Sequence, residues 1–286
     1  MAPLRTLIDA AALQALLARP GGDAPAVVVL DCRFDLADPA AGARAHAESR
    51  IAGSRYAHLD DDLAGPKTGR NGRHPLPSRE AFAATLGRWG VGPASQVVAV
   101  DDHGGAYAAR AWWMLRWMGH EAVAVLDGGL AAWRAAGGAL VSGPPEPVPP
   151  ASPYPVAAQA SMPVIDAAAL QRRLGHGVLL DARSGERFRG EVEPLDPVAG
   201  HIPGATLRCF KDNLGPDGRF RPAPELRRAF DALGVPAKDI VHQCGSGVTA
   251  CHNLLAMVHA GLEGSTLYPG SWSEWCADPS RPVAVG

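Results

Sequence analysis

One cysteine in this chain stands in surroundings suited to nucleophilic chemistry: Cys244, followed by Gly245-Ser246-Gly247-Val248-Thr249. Two glycines and small side chains let the backbone curl around a single point. Amide N–H groups converging there form an anion-binding nest, and a helix starting just beyond adds the partial positive charge of its N-terminus. Such a cradle favours thiolate over thiol, and the thiolate is the form that attacks. It would equally hold the terminal charge of a persulfide, Cys–S–S⁻. Two other readings compete. Buried structural cysteines are common, and cysteine phosphatases use a loop of the form Cys-x5-Arg whose arginine clamps phosphate. Ala250 stands at that arginine position, so the phosphatase reading lacks its clamp.

A strand must deliver such a cysteine and a helix must receive it. Asp239–Gln243 reads as the strand. From Val248 to Ala260, Val248, Cys251, Leu254, Leu255 and Val258 recur at helical spacing, with Gly261 as the stop. Cys251 shares that apolar stripe and reads as core. Val178–Leu180 and Ser265–Tyr268 are further strand candidates. Alternation of β and α implies an α/β fold, a mainly parallel sheet flanked by helices. Ligands bind such sheets beyond the C-terminal ends of the strands, where Cys244 lies.

The chain also repeats itself once. Val28-Val29-Leu30-Asp31-Cys32-Arg33 matches Val178-Leu179-Leu180-Asp181-Ala182-Arg183. Ile51-Ala52-Gly53 matches Ile202-Pro203-Gly204, and Asp127-Gly128-Gly129 with Trp133 matches Pro269-Gly270-Ser271 with Trp275. The matches keep their order at domain-sized separation, which indicates a tandem duplication. Residues 142–155 carry prolines at 144, 145, 147, 149, 150, 153 and 155. Proline fixes φ and removes backbone donors, so this stretch is expected to be an extended linker between a first domain, 1–141, and a second, 156–286. In the first copy, Asp101-Asp102-His103-Gly104-Gly105 falls where Gln243 to Gly247 fall in the second. Asp102 then takes the place of the cysteine. A carboxylate cannot carry transferable sulfur, so the first domain is expected to be catalytically silent.

Bulk properties narrow the partners. A chain of 286 residues, 47% hydrophobic and 20% charged, suits two globular domains. Its net charge of −2 offers no basic excess for nucleic acid or an anionic membrane. No apolar run reaches the ~18 residues of a membrane span. Asp9 interrupts any secretory apolar segment. The five cysteines show no paired spacing, so neither a metal site nor a disulfide scaffold is indicated. Free thiols fit a reducing compartment, and the expected location is cytoplasmic.

With these features together, the chain resembles the tandem-domain rhodanese family over nearly its whole length. Cys244-Gly-Ser-Gly-Val-Thr-Ala250 looks like the active-site signature of the family's 3-mercaptopyruvate sulfurtransferases. The resemblance implies a Cys244 persulfide loaded from 3-mercaptopyruvate, with Gly245, Gly247, Val248 and Thr249 among the substrate-binding residues. It implies a thiophilic acceptor (cyanide, a small thiol or a thioredoxin-like reductant) and neither metal nor organic cofactor. Relatives that prefer thiosulfate usually carry cations directly after the cysteine. Gly245 and Ser246 are uncharged, which favours mercaptopyruvate and leaves thiosulfate:cyanide transfer as the runner-up. A non-catalytic rhodanese module that binds partner proteins is the alternative from another class.

The resemblance also assigns roles. Arg187 matches a substrate-binding arginine, whose planar guanidinium suits the donor's carboxylate. Arg189 is a weaker candidate. The family often places a second arginine a little further on, where this chain has Glu193-Pro194-Leu195-Asp196. That clamp is either missing or replaced. His74 matches a histidine assigned to proton transfer and Asp60 its acidic partner, with Asp61 or Asp62 as alternatives. With Ser246 they would form a relay to the departing enolate. Gly200-His201-Ile202-Pro203-Gly204, Asp181-Ala182-Arg183, Trp272 and Trp275 read as structural.

Overall fold

A computed structural model describes residues 3–19, 26–145, 147–148 and 153–286. Its contacts divide the chain into two compact units. The first comprises Met1–Ala64, Pro77–Ser161 and Asp217–Arg219, and the second Gly65–Leu76, Met162–Pro216 and Phe220–Gly286. Gly65–Leu76 thus comes from the first half of the sequence and packs with the second. The described residues of 142–155 contain no helix or strand. Pro149 and Pro150 lie outside the described residues. The start of this stretch is pinned in the first unit by Arg50, whose guanidinium donates to the carbonyls of Gly143 at 2.6 Å and Pro144 at 2.8 Å.

The first unit holds a parallel five-stranded sheet in the order Leu7–Ile8, Val123–Leu126, Gln96–Val100, Val27–Asp31, Arg55–Tyr56. Val28, Val29, Leu30 and Val97–Val100 are almost wholly buried, as expected for strands covered on both faces. The second unit repeats the order with Thr266–Leu267, Ile240–Gln243, Val178–Asp181 and Ala205–Leu207, all parallel. Its counterpart of the first edge strand is a single parallel bridge between Val164 and Leu267.

Both central strands end in Asp-x-Arg, and both pairs close the same way. Arg183 donates to Asp181 at 2.7 Å and to the Gly200 carbonyl at 2.7 Å. Arg33 does so to Asp31 at 2.6 Å and to the Ser49 carbonyl at 2.7 Å. Such bonds leave neither buried charge unpaired. Trp272 and Trp275 are fully buried, and their indole N–H groups donate to Val198 and Pro282 carbonyls. His201 stacks on Phe188 and hydrogen-bonds its carbonyl at 2.8 Å. The structural reading of these residues therefore holds. The helix after Cys244 runs Ala250–His259, two residues later than its apolar spacing suggests, because Gly247 has φ +78° and breaks the turn before it.

Candidate active site

Strand Ile240–Gln243 delivers Cys244 to the C-terminal end of the second unit's parallel sheet. The short helix Ser271–Trp275 fixes the residues that follow. The Cys244 N–H donates to Ser271 Oγ at 3.1 Å, while the carbonyls of Cys244 and Gly245 accept from Trp272 and Ser273 amides at 3.0 and 2.9 Å. Ser271 has φ +54°, the only non-glycine at positive φ among the described residues. Its Oγ compensates the strain by also donating to the Tyr268 carbonyl at 3.0 Å. Sequence reasoning missed Ser271. The signal was in the repeat, which pairs it with Gly129, at φ +58° in the first unit.

From this anchor the loop turns around the cysteine. Gly247 is obligatory: a Cβ there would meet the Pro269 carbonyl oxygen at 2.3 Å. The Ser246 N–H points at Cys244 Sγ at 3.4 Å, and the cysteine is 2% exposed. Val248 and Thr249 lead into Ala250–His259, whose start no side chain caps. Cys251 is buried, with Sγ donating to the Gly247 carbonyl at 3.3 Å, in keeping with a core role. The remaining thiols are held neutral. Burial first, then Asp196, pushes Cys276 up to about 11. Burial also raises Cys209, and raises Cys32 well above the usual thiol range with Asp101 and Asp31 adding to it.

Of the residues expected to act, the second unit unites Cys244, Ser246, His74 and Arg187. His74, carried by Gly65–Leu76, is buried, with Nδ1 2.8 Å from Ser246 Oγ. Its segment is held where the Arg73 N–H donates to Ser273 Oγ at 3.0 Å and the Gly65 N–H to the Pro75 carbonyl at 2.8 Å. Arg187 lies beside Gly245: its Nη atoms are 3.3 and 3.4 Å from where a Gly245 Cβ would stand. Glu193 accepts from Arg187 Nη2 at 2.7 Å and Nε at 3.2 Å, and Asp196 from Nη2 at 3.3 Å. Arg189 instead pairs with Glu191 on the surface. Arg73, which sequence reasoning did not single out, would lie 2.9 Å from the same Gly245 Cβ through Nη2 and is ion-paired with Asp196. Asp60 belongs to the first unit, where its N–H donates to His58 Nδ1 at 3.2 Å. Its alternatives are otherwise engaged, Asp61 with His58 and Asp62 with Arg88 and the His58 amide.

The duplicate loop corrects one expectation. Ala182 N–H donates to the Gln243 carbonyl and Cys32 N–H to the Val100 carbonyl, while Trp272 pairs with Cys244 as Leu130 pairs with Asp101. Asp101, rather than Asp102, therefore occupies the place of Cys244. The first unit's loop carries one residue more before its helix, Ala108 lying seven residues past Asp101 and Ala250 six past Cys244, and that accounts for the slip. The Asp101 carboxylate fills its own loop, accepting from the amides of His103 and Gly105 at 2.9 Å, Tyr107 at 2.8 Å and Ala108 at 2.9 Å. Asp102 faces outward and pairs with His103, lowering its own pKa and raising the imidazole's.

Comparison with known proteins returns the same duplication. The rhodanese-like domain pattern matches residues 10–136 and again 166–278. A Pseudomonas aeruginosa protein named, provisionally, a 3-mercaptopyruvate sulfurtransferase is 54% identical over 92% of this chain and 93% of its own length. A Mycobacterium tuberculosis protein named, provisionally, a thiosulfate sulfurtransferase is 39% identical over 99% and 98%. Among solved structures, 3-mercaptopyruvate sulfurtransferase from Leishmania major superposes with TM-score 0.81 at 30% identity, covering 95% of this chain and 74% of that one. The chain belongs to the rhodanese family, with two such domains in tandem. It is a sulfurtransferase.

Proposed function

We propose that this enzyme moves sulfur from 3-mercaptopyruvate to a thiophilic acceptor through a persulfide on Cys244. The observation that carries the donor assignment is the His74–Ser246 pair, 2.8 Å apart and two residues from the nucleophile. Thiolate attack on the donor's sulfur breaks its C–S bond and leaves the electron pair on pyruvate enolate. That carbon needs a proton to become pyruvate, and an imidazole–hydroxyl pair is suited to bring one. Thiosulfate would leave as sulfite, which needs none. Asp60, expected as the acidic partner of His74, is carried by the first unit. The loop amides of Gly245, Ser246, Gly247, Val248 and Thr249 stabilise the persulfide, and Arg187 binds the donor's carboxylate. A thiophile (cyanide, a small thiol or a reduced thioredoxin-like protein) then takes the outer sulfur and regenerates the Cys244 thiolate.

One observation favours thiosulfate as a second reading: the guanidiniums of Arg73 and Arg187 beside Gly245. The buried carboxylates of Glu193 and Asp196 offset both charges, so the site suits a monoanion better than a dianion. The first domain is assigned no sulfur transfer of its own. Five free cysteines suit a reducing cytoplasm, and among the described residues no helix is long and apolar enough to cross a membrane. Initial rates of transfer to cyanide from each donor test the reading. A kcat/KM ratio favouring 3-mercaptopyruvate supports it, and one favouring thiosulfate overturns the donor. Cys244→Ser should abolish transfer from both and should no longer gain the mass of one sulfur atom on donor treatment.

A further inference from the structure

The two copies of the loop are held by different means. In the first unit the residue at the nucleophile's place does the holding, since the Asp101 carboxylate accepts from four amides of its own loop. Cys244 has no carboxylate, and its sulfur must stay able to react. The second unit grips the cysteine by its backbone, from outside the loop. The Trp272 N–H donates to the Cys244 carbonyl at 3.0 Å, as the Leu130 N–H does to Asp101. Ser271 adds a bond that Gly129, at the same place in the first unit, has no side chain to make. Its Oγ accepts the Cys244 N–H at 3.1 Å while donating to the Tyr268 carbonyl at 3.0 Å. Placing a hydroxyl there is costly. Ser271 is buried at φ +54°, a conformation that L side chains avoid and glycine enters without penalty. At Gly129 a Cβ would meet the Asp101 carbonyl oxygen at 2.2 Å, so the first unit admits no side chain at all. Strain kept at the unit's nucleophile, where glycine would relax it, points to a role in the chemistry.

We propose that Ser271 is a positioning residue for the nucleophile: by taking up the Cys244 N–H it keeps Sγ aimed at the Ser246 N–H, 3.4 Å away. The assignment rests on Cys244 as the sulfur carrier and is independent of the donor. With Ser271 holding the peptide before the cysteine and Trp272 the carbonyl after it, the direction of the Cα–Cβ bond is set. A reacting atom fixed in this way spends less of its time out of line with its target. The hydroxyl does from outside the loop what the Asp101 carboxylate does from within, and it leaves the sulfur clear.

The test compares wild type, Ser271→Gly and Ser271→Ala. Both variants lose the hydroxyl, and only alanine keeps the strain. Three quantities are read: the urea midpoint, the rate of sulfur loading on Cys244 at saturating 3-mercaptopyruvate or thiosulfate, followed by mass, and the rate at which iodoacetamide alkylates Cys244, which needs no donor. Loading should slow roughly 10- to 100-fold in both variants, as misplacement of a reacting group does, and by the same factor with either donor. Alkylation should slow in both as well, by roughly 10-fold. The urea midpoint should separate them, with alanine lowest and glycine nearer wild type, because glycine relieves the strain that alanine retains. Loading that instead follows the urea midpoint, with Ser271→Gly close to wild type, would overturn the proposal and leave Ser271 a residue of the fold. So would alkylation at the wild-type rate, or a loss confined to one donor. Should Ser271→Ala fail to fold, the glycine variant carries the same comparison alone. A wild type that gains no sulfur from either donor would sink the persulfide reading, yet slower alkylation of Ser271→Gly would still uphold the positioning of Cys244.

Discussion

Three loop residues separate chemistry from architecture. Ser246 Oγ sits 2.8 Å from His74, and Ser246→Ala should lower kcat with 3-mercaptopyruvate about 100-fold, a usual size for lost proton transfer. Sulfur loading from thiosulfate should change far less. Equal losses with both donors, followed by stopped-flow loading, would remove the relay. The two glycines should behave differently. Gly247→Ala forces a Cβ at φ +78° against the Pro269 carbonyl, and should cost about 2 kcal/mol or more of stability along with activity. At Gly245 a Cβ meets only the ends of two flexible arginines. Gly245→Ala should leave the urea midpoint nearly unchanged while raising KM for the donor. A matched loss of stability in both would contradict this.

At the scale of elements, the first unit fills its copy of the loop with a carboxylate where the second has the Cys244 side chain. Four amides in the first unit's loop are satisfied by Asp101. Asp101→Ala strips a buried acceptor from all of them and should destabilise the protein by about 2–4 kcal/mol, read from urea unfolding. A cost below ~1 kcal/mol would mean water replaces the carboxylate freely. The strand–cysteine–loop–helix order was legible in the sequence because hydrophobic runs and glycines report local structure directly. The one-residue slip between Asp101 and Asp102 was not, since small residues on both sides allow either register. Only the ladder, which pairs Cys32 with Val100 and Ala182 with Gln243, settles it. Arg73 was invisible for another reason. Its neighbours in sequence are a turn, and its partners, Asp196 and Ser273, are contacts of tertiary folding.

For the whole molecule, pH should act mainly through buried imidazoles. Burial lowers His242 to about 3 from an ordinary 6.5, and it also lowers His46 and His120. The folded protein keeps these rings neutral while the unfolded chain protonates them, so stability is full above pH 6.5 and is lost as pH falls below it. At pH 5 the His242 contribution alone is about 2 kcal/mol. His103, raised by Asp102, opposes this but is half exposed. Burial raises Asp62 and Glu274, and this too opposes the loss, since the folded protein binds those protons more readily than the unfolded chain. Urea midpoints at pH 7 and pH 5 should therefore fall less in His242→Leu than in wild type. An identical drop would place the acid sensitivity elsewhere. The duplication itself was readable from ordered matches such as Val28–Arg33 with Val178–Arg183. Which stretch of chain completes which unit was not, because a repeat reveals common ancestry and says little about later exchanges of peptide.

Gly65–Leu76 is a stretch of the first half that completes the second unit, and it bears on how this gene could be shortened. A descendant trimmed at the proline-rich segment would keep the strand, the cysteine and its loop, all encoded downstream. It would leave behind His74 and Arg73. On the proposed mechanism, what survived would keep the persulfide-forming cysteine and lose the imidazole that serves a carbon-bound donor. Twelve residues of the first half thus tie the proposed relay of the second unit to an unbroken chain.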